Sequence, residues 1–261
     1  MRARLPSALA AALLLAACGS SRVSITGEVR YGKTAQDDYQ AGQEELKDRN
    51  FTEATKFFEN VRNKYPYSSY AALADLRLAD VKYDQEHFVE AAEAYQQFVQ
   101  LHPRHEQVDY AAFRVALSHW RERPAEHFFT PPSEEKDQAQ VRDAVKAVED
   151  FVKKYPDSKY RPDAVKILAE GRGRLAEHEW YVAQFYAKRA RWAGAAGRYE
   201  ALAREFPDTP RAPAALYELA QACLKLEERH RARQALQQLI VKFPQDPRRA
   251  EAEKLLASIR G

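Results

Sequence analysis

Seven histidines and two cysteines are the side chains of this 261-residue chain best able to hold a metal or attack a substrate. His102 and His105 come nearest to a motif, in LHPRHE. A zinc pair on a helix needs a spacing of four, so that both rings share one face. Here Pro103 stands between the two rings, and they read as packing and turn residues. His178 lies between Glu177 and Glu179 and reads as part of a solvated, charged helix face. His87, His119, His127 and His230 are isolated in sequence. The chain carries no G-x-S-x-G, no P-loop and no Rossmann fingerprint. Cys223 falls on an apolar helix face and reads as a small buried hydrophobe. The chemistry-bearing residues therefore point to a protein that is not an enzyme, with no metal site and no cofactor.

Cys18 is different. It ends an apolar run over residues 5–17 that follows Arg2 and Arg4. Thirteen residues span roughly 20 Å as a helix, against a bilayer core about 30 Å thick. The run is too short to cross a membrane and has the parts of a secretory leader. Leu15-Ala16-Ala17-Cys18 looks like a lipobox, which implies cleavage before Cys18 and a covalent lipid on it. Gly19 follows where an aspartate would favour the inner membrane, so the outer membrane is expected. With Cys18 acylated, Cys223 has no partner in the chain, and the core must hold the fold in an oxidising compartment. Residues 1–17 are then the signal peptide. Residues 18–33 are an acylated terminus and polar tether, of which fifteen extended residues reach about 50 Å. Without the leader the chain has 39 basic against 38 acidic residues. That balance gives no electrostatic case for nucleic acid.

The elements that would position any site come from a repeat. Prolines at 66, 103, 156, 207 and 244 close five similar stretches. Twelve residues before each lies alanine: Ala54, Ala91, Ala144, Ala195 and Ala232. Eight before lie Phe58, Tyr95, Val148, Tyr199 and Leu236; five before lie Val61, Phe98, Phe151, Leu202 and Leu239. One before lie Tyr65, His102, Tyr155, Phe206 and Phe243. Offsets of four, three and four mark one helix face, and the proline ends the helix. Ser68, Ser158 and Thr209 are placed to cap the helix that follows. Twenty-four residues before the proline, Gly42, Ala79, Ala183 and Ala220 mark a partner helix that approaches closely.

This pattern resembles the tetratricopeptide repeat. It predicts an all-α solenoid of five helical pairs with a C-terminal capping helix at residues 248–259. The proline spacings are 37, 53, 51 and 37. The first long interval contains a loop at residues 121–137. The second is helix-favouring over residues 161–191 apart from Gly171 and Gly173, and predicts one unusually long or kinked first helix. First helices should line a concave groove. By their offsets Tyr39, Gln43, Leu76 and Asp80 should face it, with Lys47 and Asp84 one turn further on. The groove suits an extended or helical peptide. Two turns share the form Tyr-Pro-x-Ser-x-Tyr, YPYSSY and YPDSKY, and their tyrosines read as inter-repeat packing.

The lipobox, the tether, the five repeats, HPRHEQVDYAAF at 102–113 and FYAKRARWAGAAGRYEALAREFPDT at 185–209 together resemble the BamD family. Its members are tetratricopeptide lipoproteins of the outer-membrane β-barrel assembly machinery. The resemblance covers essentially the whole chain. It implies a non-catalytic scaffold on the periplasmic face of the outer membrane. Residues 34–156, repeats one to three, would receive unfolded outer-membrane protein precursors. Residues 157–261, repeats four and five with the cap, would dock on periplasmic domains of a BamA-type barrel subunit, and other small lipoproteins could join. The Phe-Tyr-x-Lys-Arg motif falls on Phe185, Tyr186, Lys188 and Arg189. The aromatics read as packing and the cations as a helix-end cap. Lys188, Arg189, Arg191 and Arg198 are the docking candidates. An adaptor of another envelope machine, in pilus secretin assembly or division, is the alternative, and it would not be expected to carry the two long motifs. An envelope enzyme has only the loop at 121–137 left to occupy.

Overall fold

The computed structural model describes residues 29–123 and 132–259. Cys18, residues 19–28 of the tether and residues 124–131 of the long loop lie outside them. Among the described residues there are eleven α-helices, one 3₁₀ turn and no strand. The first helices of the five pairs are α1 (Ala35–Lys47), α3 (Ser69–Asp84), α5 (Val108–Glu122), α7 (Arg161–Lys188) and α9 (Ala212–Lys225). The second helices are α2 (Phe51–Lys64), α4 (Phe88–Leu101), α6 (Ala139–Lys154), α8 (Trp192–Glu205) and α10 (Arg229–Lys242). The cap is α11 (Arg249–Ile259) and the 3₁₀ turn is Ser133–Glu135.

The repeat signature has a physical meaning at every offset. The five alanines have no exposed surface, because the pair crosses over them. Residues eight and five before each proline fill the space beside that crossing and are buried in all five repeats. The residue before the proline is the helix C-cap. In each repeat its N–H donates to the carbonyl of the residue four back: Val61, Phe98, Phe151, Leu202 or Leu239. The proline then removes the next donor, and the helix cannot continue. Gly42 shows why the partner helix needs a small residue there. A Cβ at that position would sit 2.8 Å from the Phe58 ring.

Helix starts are less uniform. Thr34 and Asp37 form a reciprocal capping box on α1, and the Ser68 side chain accepts from Tyr70 N–H. Ser158 accepts from Tyr160 N–H and donates to Asp109 Oδ2 at 2.7 Å, tying two turns together. Thr209 caps nothing: its hydroxyl turns back to the Phe206 carbonyl. Four hairpin turns each use one left-handed residue with a side chain: Arg49, Glu86, Ala190 and Glu227.

The long first helix is real. α7 has 28 residues and is continuous. Its first half packs on α6 and its second half on α8. Gly171 meets Val145 of α6, where a Cβ would lie 2.6 Å from the valine methyl. Further on, Gln184 donates to Tyr199 of α8 at 2.7 Å and Trp180 packs on the Tyr199 ring. α7 is thus a strut shared by two stacks, α1–α6 and α8–α11. The 3₁₀ turn docks beside its second half. His178 Nδ1 lies 2.7 Å from the Glu134 carbonyl, so this histidine pins a loop and is not a free member of a charged face. Glycine inside a helix costs about 1 kcal/mol relative to alanine. Gly171 is needed for the α6 crossing, whereas a Cβ on Gly173 would touch nothing within 4 Å.

Candidate functional site

Helices α3, α4 and α5 together hold a polar cluster centred on Asp80. Tyr95 Oη of α4 donates to Asp80 Oδ1 at 2.5 Å, and Tyr110 Oη of α5 donates to the same oxygen at 2.8 Å. Arg77 Nη1 lies 2.5 Å from Asp80 Oδ2, one helical turn away. Arg114 of α5 donates from Nε to Tyr95 Oη at 2.9 Å, and its guanidinium lies 3.6 Å over the Tyr83 ring. Arg77 also reaches Gln107 Oε1 at 2.7 Å. Asp80 keeps 6% of its side-chain surface, and the two arginines 18% and 15%. A carboxylate so placed must be fully hydrogen-bonded to stay charged, and here four side chains serve it. Burial, with the Asp80 charge added to it, drives Tyr95 and Tyr110 well above the ordinary phenol range. Both phenols therefore stay neutral donors. Burial also raises the Asp84 carboxyl, with Arg114 opposing and the Asp80 charge adding to the rise.

The groove reading needs correction at three positions. Tyr39, Leu76 and Asp80 are buried and do not line an open surface. Tyr39 packs between Phe58 and Tyr70, and Leu76 belongs to the cluster of Ala91, Tyr95 and Phe98. They sit on the side of α1 and α3 turned toward the second helices, one register step from the open face. Gln43 and Lys47 are exposed there, and Arg77, Asp84, Tyr110 and Arg114 are partly buried. Arg77 and Arg114 escaped the sequence reading. Their signal was a lone cation inside an apolar helical run, in ADLRLAD and AAFRVAL.

At the other stack Lys188, Arg189, Arg191 and Arg198 are all exposed around the α7–α8 turn. Arg198 pairs with Glu179 of α7 at 3.0 Å. Arg189 lies 3.5 Å over the Phe185 ring and donates to the Phe185 carbonyl. Phe185, expected to pack inside, is 43% exposed, with Arg189 and Tyr186 as its ring neighbours. Tyr186 does pack, against the face of α8 that Gly194 leaves open. Tyr160 stacks on Phe113 at 5.3 Å and Tyr70 packs tilted against Tyr39, so these turn tyrosines are packing residues; Tyr67 is fully exposed. His102 and His105 share Phe98 as a ring neighbour. No three His, Cys, Asp or Glu side chains converge to hold a metal among the described residues. Cys223 is buried in α9, and burial raises its thiol. No helix among the described residues is long and apolar enough to cross a membrane.

The chain from just before α1 into α10, reaching into both stacks, falls within one family match. The outer membrane lipoprotein family YfiO matches residues 32–239. The chain belongs to this family. Relatives match over most of their own length as well. "Outer membrane protein assembly factor BamD" of Neisseria meningitidis serogroup B is 27% identical over 238 residues, covering 90% of this chain and 89% of the relative. The protein of the same description in Neisseria gonorrhoeae is 28% identical over 211 residues, 80% and 79% of the two chains. That of Caulobacter vibrioides is 27% identical over 218 residues, covering 84% and 69%. Among solved structures, the TPR2AB domain of yeast Sti1 aligns over 86% of both chains at 15% identity, with a TM-score of 0.40. YfiO membership gives the chain an outer-membrane association.

Proposed function

We propose that this protein is a scaffold lipoprotein of outer-membrane β-barrel assembly. It is held on the periplasmic face by lipid on Cys18 and works by binding, not by catalysis. The observation that carries the reading is the family match running through both stacks, joined to relatives described as outer membrane protein assembly factors over nine-tenths of each chain. Repeats one to three receive an unfolded barrel precursor on the face of α1, α3 and α5. The Asp80 cluster holds Arg77, Tyr110 and Arg114 in fixed geometry there, so little rotamer entropy is lost on binding. Repeats four and five dock on periplasmic domains of a BamA-type barrel subunit through the α7–α8 turn. An exposed aromatic covered by an arginine is the composition of an interface anchor. Depletion is expected to lower folded outer-membrane barrels, measured by heat-modifiable gel mobility of a resident porin. Unchanged barrel levels after complete depletion would overturn the proposal.

A further inference from the structure

We propose that residues 171–173 of α7 form a hinge between the two stacks, and that Arg172 is its latch. Three observations meet at these residues. First, the strut changes partner here. Gly171 meets Val145 of α6, and further on Trp180 and Gln184 pack on Tyr199 of α8. Second, Gly171-Arg172-Gly173 is the only place among the described residues where two glycines flank one helical residue. Glycine has the greatest backbone freedom, so this is the most compliant turn of a 28-residue helix. The Gly171 contact explains one glycine; no internal contact explains Gly173.

Third, Arg172 ties the two sides together across that turn. Its Nη1 lies 3.4 Å from Glu149 of α6, in the first stack. Its Nε donates to Asp208 Oδ2 at 2.9 Å, and its Nη2 donates to Asp208 Oδ1 at 2.5 Å and to the Glu205 carbonyl at 2.8 Å, all in the second stack. The Glu205 carbonyl belongs to the last turn of α8, where a cation also meets the helix dipole. A planar guanidinium can serve three partners at once in one orientation, and that orientation fixes the angle between the stacks. The Asp208 hydrogen bond raises Arg172, and the same bond lowers Asp208, so both stay charged and the tie persists across the physiological range. His178 on the Glu134 carbonyl is a second tie, but it acts through a loop and restrains the angle less. A compliant turn closed by a breakable clamp lets the angle between the stacks change when the clamp opens.

The test is a distance distribution between spin labels on Gln100→Cys of α4 and Gln237→Cys of α10, both exposed, with Cys223 buried. The full-length chain is used with Cys18 acylated. Arg172→Gln is expected to broaden the distribution or add a second peak, and Asp208→Asn to do the same. Gly173→Ala, which meets no atom, is expected to narrow it. An Arg172→Gln chain that keeps its helicity and the parent distribution would overturn the latch. A Gly173→Ala chain as broad as the parent would overturn the hinge. Any use of the hinge in precursor binding rests on the function proposed above. The distance measurement does not, so the two can fail separately.

Discussion

Asp80 is the residue on which the first stack depends. Two arginines and two tyrosines from three helices meet its carboxylate, and none of these side chains has full access to water. Removing a partner from such a cluster leaves the others charged and desolvated. Asp80→Ala is therefore expected to lower stability by about 3 kcal/mol in urea denaturation. Asp84 has the opposite sign. Its folded carboxyl is raised by burial, so its charge works against folding above that raised value. The native state binds this proton more readily than the unfolded chain does. The cost disappears as pH falls below the ordinary carboxylate range. Asp84→Asn should make the protein more stable than its parent at pH 7, and the gap should close in acid. Thermal melts of both chains across pH test this, and a gap that widens in acid would contradict it.

At the scale of elements, the five pairs share one end and differ in their starts. The proline, the capping residue before it and the buried residue four further back form one hydrogen-bonded unit, repeated five times. The hairpin turns lack the glycine that would make their left-handed residue easy. Ala190 takes φ 55° between α7 and α8 with no polar side chain to compensate. Ala190→Gly should raise stability by about 1 kcal/mol, read as a shift of the denaturation midpoint. No gain would mean that the unfolded chain's added freedom cancels the relief.

On the scale of the molecule, the two halves carry opposite charge. Residues 34–156 have 16 basic and 23 acidic side chains, whereas residues 157–261 have 20 and 14. The near-neutral total conceals this division. An association that uses the basic half should weaken with salt. Replacing Phe185 and Arg189 by alanine together is expected to reduce capture of the large barrel subunit about tenfold. The melting temperature should not change, because both side chains are exposed. Capture at the parent level would remove the α7–α8 turn from the docking surface.

The sequence alone determined the helices, their pairing and their ends. A period of one helix face, closed by a residue that cannot continue a helix, is local information, and Ala54, Phe58, Val61 and Pro66 suffice to read it. It also pointed to the long strut, because Pro162 falls in the first helical turn, where no N–H is needed, and no breaker other than glycine stands between residues 163 and 188. Which side of a first helix meets water is not local. Tyr39, Leu76 and Asp80 lie where three helices converge, and a rotation of one register step decides between groove floor and core. Tertiary packing makes that choice by finding partners for each polar atom. It buried a carboxylate because Arg77, Tyr95, Tyr110 and Arg114 arrive from three helices. It left Phe185 exposed, with the Arg189 guanidinium over its ring.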